Sequence, residues 1–169
     1  MTERKVAITA TVHASAEHIF DLLADPSKHP LLDGSGTVVS AHGEPSRRLE
    51  LGSTFGMDMK MGMPYRVVNK VVEYEPNRLI AWCHFARHRW RWELKPIDAD
   101  TTEVTETFDW STTPAGPLLA LLGFPRRNLK GMTATMSRLE TVLAEQAGGA
   151  AESGDAGQPG DAGQQPGSN

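Results

Sequence analysis

The sequence predicts an α+β fold in which a curved antiparallel sheet of seven strands wraps around one long C-terminal helix. Three observations predict it. A strand pattern over residues 5–13 is followed by two short helical patterns and then by six more strand patterns between about 37 and 110. Turn signals of two or three residues separate those strands, too few for the crossover helices that parallel strands need. A long amphipathic stretch running to about residue 146 closes the order. One helix cannot cover both faces of such a sheet, so the sheet curves around it and leaves room for a cavity.

The elements follow in chain order. Val6, Ile8, Ala10 and Val12 alternate onto one face of the first strand. Ser15 is placed to cap a helix, with Glu17 in its first turn and Ile19, Phe20, Leu22 and Leu23 on its apolar side. Asp25-Pro26 reads as the cap and first position of a second short helix, and LLDGSG as a loop. The later strands are expected at 37–42, 53–62, 65–75, 78–85, 88–96 and 102–110, with Gly43-Glu44-Pro45, Met63-Pro64, Glu75-Pro76-Asn77 and Pro96-Ile97-Asp98 as turns. Thr113-Pro114 resembles a cap for a short helix to about 123, stopped by Gly123 and Pro125. Leu129, Met132, Met136, Leu139 and Val142 then mark one stripe of the long helix.

Residues 1–146 form one domain, large enough to bury a core unaided. Residues 147–169 consist of Gly, Ala, Gln, Pro, Ser, Asp, Glu and Asn, with GDAGQ twice, and are expected to be a disordered tail. The 39% hydrophobic and 22% charged content fits a soluble globular protein. A net charge of -4 argues against a nucleic-acid partner. Cys83 is the only cysteine, the opening MTERKV lacks the apolar stretch of a signal peptide, and the apolar run 118–124 is too short to span a bilayer. These features suggest a cytoplasmic location without a transmembrane segment.

The most distinctive local pattern is MDMKMGM. Four of the seven methionines, Met57, Met59, Met61 and Met63, alternate within it, and Phe55 extends their face. Methionine is flexible and polarisable, so such a wall suits an adaptable apolar pocket, or else core packing that uses Met as a filler. Met132 and Met136 of the final helix are candidates for the same cavity. Trp90 and Trp92 share a strand face with His88 and Leu94, as rigid cavity walls or as plugs. Trp82 lies on a strand whose two faces are both apolar, which leaves its phase open. Glu106 shares a face with Val104 and Phe108. A carboxylate there is either a proton-transfer or ligand-binding group with a raised pKa, or is paired with an arginine, or escapes through a bulge. Tyr65 and Asn69 are candidate polar contacts inside the cavity, and Tyr65 with Glu106 the candidates for any acid–base role.

No Gly-rich phosphate loop, GxGxxG fingerprint or GxSxG elbow is present. The Met-x-Met run could bind Cu(I), but it sits in a mid-sheet strand, and the His84/His88 spacing suits a helix where the pattern gives a hairpin. No metal or cofactor is expected.

The order of elements, with ASAEHIFDLLADPSKHP after the first strand and then VVEYEPNRLIAW, WRWELKPID and TTEVTETFDW, resembles the START-like, Bet v 1-like (SRPBCC) superfamily of helix-grip proteins over residues 4–146. It is similar to the polyketide cyclase/dehydrase and lipid transport branch, and LDGSGTV with LGSTFGMDMKMGMPYRVVNKVVEYE looks like an actinobacterial subgroup. The resemblance implies a ligand cavity without a shared catalytic motif. The reading is therefore non-catalytic binding or transport of a hydrophobic small molecule, whether lipid, polyketide-like or aromatic compound, or quinone. Phe55, Met57, Met59, Met61, Tyr65, Asn69, Trp82, Trp90, Trp92, Glu106, Phe108, Met132 and Met136 are the expected binding residues. The alternatives are a cyclase/aromatase-type enzyme using acid–base groups in the cavity and an interaction module whose groove is filled by its own side chains.

Overall fold

The structure, a computed structural model, describes residues 4–42 and 48–154. Its strands are β1 (Lys5–Val12), β2 (Val38–His42), β3 (Thr54–Met61), β4 (Met63–Glu75), β5 (Leu79–Cys83), β6 (Arg89–Pro96) and β7 (Thr102–Asp109). Helix α1 (Ala16–Leu23), a 3-10 turn (Pro26–Lys28) and α2 (His29–Leu32) follow β1, and α3 (Gly116–Leu121) and α4 (Phe124–Gly154) follow β7. The strands form one seven-stranded sheet in the order β1-β7-β6-β5-β4-β3-β2. Every pairing is antiparallel. The sheet grips α4, the helix-grip α+β architecture the pattern predicts.

Local chemistry explains the entry helices. The Ser15 hydroxyl accepts from the His18 amide at 3.2 Å, and Ile19, Phe20, Leu22 and Leu23 bury the apolar side of α1. The Asp25 carboxylate accepts from the Ser27 amide at 3.0 Å with Pro26 at the first position of the 3-10 turn. A bulge between Val71 and Glu73 shifts the register of β4 against β5 and bends the sheet. It carries Tyr74 inward, edge-on to Phe20 at 5.5 Å.

Several boundaries differ from expectation. The β3–β4 hairpin turns at Gly62, in a left-handed conformation (φ 76°), and not at Met63-Pro64. Met63 therefore begins β4 opposite Met61 and, at the exposed end of the hairpin, does not extend the methionine row of β3. β5 stops at Cys83, because a turn with Arg87 at φ 64° takes over and the Arg87 amide donates to the His84 carbonyl. α3 begins at Gly116, two residues after Pro114, and Thr113 caps only the turn before it. Pro125 does not stop a helix; it sits in the first turn of α4, where a missing amide costs nothing. The buried stripe of α4 is Met132, Met136, Leu139 and Leu143, whereas Leu129 is exposed. The helix passes residue 146 and continues to Gly154; the remainder of the expected tail, 155–169, lies outside the described residues.

Candidate functional site

A cavity of about 610 Å³ lies between the concave face of the sheet, α2 with its following loop, and α4. β3 supplies one wall. Phe55 and Met57 are buried, Met59 is half-buried and Met61 is exposed, so the stripe runs from the interior to the opening. β4 adds Tyr65, Val67 and Asn69, β5 adds Trp82, β6 adds Trp90 and Trp92, and β7 adds Glu106 and Phe108. Strict alternation in β6 sends the two indoles inward and Arg89 and Arg91 to the outer face. There both arginines hold Glu73, at 2.9 and 3.0 Å.

The helical wall depends on close approach. Gly34 lies against α4: a Cβ there would stand 2.2 Å from the Thr135 amide nitrogen. Its own amide donates to Thr135 Oγ1 at 2.9 Å. The Asp33 carboxylate organises the loop by accepting from the amides of Ser35, Thr37 and Val38 and from the Ser35 hydroxyl. Arg138 donates to the Asp33 carbonyl at 3.0 Å and ties the same loop to α4. This accounts for the LDGSGTV segment: an acceptor at 33 and no side chain at 34 seat the loop that closes one side of the cavity.

Aromatic rings line two regions. His29 stacks on Trp82 at 5.0 Å, and Phe55 meets both edge-on. His88, Trp90 and Trp110 surround Phe108 at 4.9–5.5 Å. His84 and His88 approach to 4.3 Å between ring centres, although they flank a β turn. Among the described residues no group of three or more His, Cys, Asp or Glu could hold a metal ion.

Glu106 sits opposite Trp92 on β6 and Ile8 on β1. It is buried, and its Oε2 has no hydrogen-bond partner. The expected alternatives of an arginine pair or a bulge do not occur: the register through Glu106 is regular, and the β6 arginines face away. Burial, reinforced by the Asp33 carboxylate, pushes its pKa up to about 8. Burial lowers His88 to about 4, with the neighbouring His84 acting in the same direction. Burial also lowers His84 and His29, and the latter has one ring nitrogen 2.8 Å from the Leu23 carbonyl. Tyr65 is raised by burial, opposed by the nearby Arg127. At neutral pH the interior thus holds a protonated acid and uncharged imidazoles. The cations that touch the cavity, Arg127 and Lys130, are exposed.

Of the thirteen residues singled out in the sequence, twelve line this cavity; Met136 is instead part of the buried core cluster that also holds the apolar side of α1. The sequence reading missed His29, Asp33, Phe85, Phe124, Arg127, Asn128 and Lys130, and assigned no role to His84 and His88, which also line it. Most of these lie in loops or at helix ends, where no periodicity marks a face.

The family model described as polyketide cyclase / dehydrase and lipid transport matches residues 3–144. An uncharacterized protein of Mycobacterium tuberculosis is 39% identical over 142 residues, covering 80% of this chain and 62% of the relative. The chain thus spans less than two thirds of that relative's length. Among solved structures, a START superfamily protein from Mycobacterium smegmatis has a TM-score of 0.66 at 18% identity, covering 84% of this chain and 98% of the other. An AHSA1-like protein from Aeromonas hydrophila has a TM-score of 0.56 at 15% identity, covering 82% and 93%. At such identities the structural likeness speaks for the fold alone.

Proposed function

The chain belongs to the polyketide cyclase / dehydrase and lipid transport family, and we propose that it binds an uncharged, largely apolar small molecule non-covalently in the cavity, with Glu106 as its hydrogen-bonding anchor. The observation that carries this reading is a buried carboxyl whose Oε2 lacks a protein partner, facing a cavity of about 610 Å³ walled by methionine and aromatic side chains. That volume is typical of small-molecule sites. A buried polar atom without a partner costs on the order of 1–3 kcal/mol, which a ligand acceptor would recover. The protonated carboxyl donates one hydrogen bond, so a ligand with a carbonyl or hydroxyl oxygen on an apolar body fits best. This chemistry covers a quinone, a polyketide-like ketone or a lipid with a neutral oxygen. Burying roughly 300 Å² of apolar ligand surface supplies about 7 kcal/mol before the costs of association. Methionines let one wall adapt to ligands of different shape.

Binding without chemistry is preferred because no second titratable group hydrogen-bonds Glu106 among the described residues. The cyclase reading draws on the same carboxyl, whose pKa near 8 suits a general acid. The test is titration with N-phenyl-1-naphthylamine, a neutral apolar fluorophore. One probe should bind per chain with quenching of tryptophan emission, since three of the four tryptophans line the cavity. Met59→Glu, half-buried in that wall, should weaken binding about tenfold or more while circular dichroism stays unchanged. Probe binding that is absent, or indifferent to Met59→Glu, would overturn the reading.

A further inference from the structure

We propose that the rim of the cavity is a docking surface for an anionic lipid bilayer. The mouth is marked by residues that both line the cavity and stand exposed: Ser35, Met61, Tyr65, Phe85, Arg127 and Lys130. Three separate elements place large apolar side chains there. Met63, 77% exposed, pairs with Met61 across the β3–β4 hairpin. Phe85, 86% exposed, projects from the β5–β6 turn. Leu121, 83% exposed, and Leu122 directly precede Gly123 and the cavity-lining Phe124. Single exposed apolar residues are ordinary, but a cluster drawn from three elements around one opening marks an interaction surface.

Charge selects the occupant. From Trp110 to Leu139 the sequence contains no Asp or Glu but has Arg126, Arg127, Lys130 and Arg138. Arg87, two residues after Phe85 on the β5–β6 turn, adds a cation, although the whole chain carries -4. Apolar tips set among cations match the interface of a negatively charged bilayer, where the tips enter the headgroup boundary and the cations meet lipid phosphates. A second copy of the chain would set like charges against each other. The inference rests on the surface and does not depend on what the cavity holds.

The experiment is co-sedimentation of the full chain with vesicles of phosphatidylcholine alone and of phosphatidylcholine mixed with phosphatidylglycerol. The protein should sediment with the anionic vesicles, and added salt should release it. Leu121→Asp with Leu122→Asp, or Met63→Asp, should weaken the association about tenfold or more. Arg126→Glu should weaken it at least about fivefold. None of these side chains lines the cavity, and all are exposed, so the fold is retained and circular dichroism checks it. Failure to sediment with anionic vesicles, or sedimentation unaffected by every substitution, would overturn the proposal. So would a stable dimer in solution that the apolar substitutions dissociate, since the face would then belong to a second copy.

Discussion

Replacing Glu106 by glutamine should stabilise the protein, and by an amount that grows with pH. The carboxyl has an ordinary pKa of 4.5 and is raised by burial and by Asp33 to about 8 in the fold. Between those values the folded chain holds a proton that the unfolded chain has released. The native state therefore binds more protons, and stability falls as pH rises. The stability associated with the protonated acid is fully present below pH 4.5 and is lost as pH climbs through 8. The slope approaches 1.4 kcal/mol per pH unit for one proton, so the penalty is roughly 3 kcal/mol at pH 7 and nears 5 kcal/mol above pH 8. Glutamine keeps the shape and cannot ionise. Urea unfolding of both proteins between pH 5 and 9 would read the difference directly. Other titrating groups, His88 included, act in both proteins and cancel. The glutamine variant should gain little at pH 5 and most above pH 8. A difference that stays flat across this range, or that favours glutamate as pH rises, would refute the claim that Glu106 is buried without a partner.

Two further outcomes test the frame around the site. Gly34→Ala drives a Cβ to within 2.2 Å of the backbone of α4 and should cost about 1–3 kcal/mol, read as a lower Tm, with weaker probe binding as the loop lifts. Glu73→Gln on the outer face should cost no more than about 1 kcal/mol, because its pairs with Arg89 and Arg91 are partly solvated; an effect well above that would show that those pairs hold the curvature of the sheet.

Where alternation is strict, the sequence already places side chains correctly. Trp90, Trp92 and Leu94 of β6, with His88 just before it, read onto one face, and the first two and His88 line the cavity while Leu94 joins the core. The same alternation turns Arg89 and Arg91 away from Glu106, so the absence of its expected arginine partner was legible in that strand. β5 was ambiguous because both faces are apolar; a tertiary fact, the pairing of Trp82 with Val71 and Trp90, sets its phase. Gly62 falls on the polar face of a perfect two-residue pattern, so nothing in the periodicity shows that the chain reverses there. The loop of Asp33 and Gly34 was opaque for a different reason. Its role lies in hydrogen bonds to its own backbone and in contact with a helix a hundred residues away, neither of which leaves a periodic trace.

The central claim is that the cavity holds an apolar small molecule. Native mass spectrometry of the purified full chain, with extraction and identification of whatever it carries, tests this most directly. A single bound compound with an apolar body and a neutral oxygen, missing from Met59→Glu purified in parallel, is the predicted result. Bare polypeptide mass in every preparation, together with failure to take up the naphthylamine probe, would contradict it and leave a cavity filled by its own side chains.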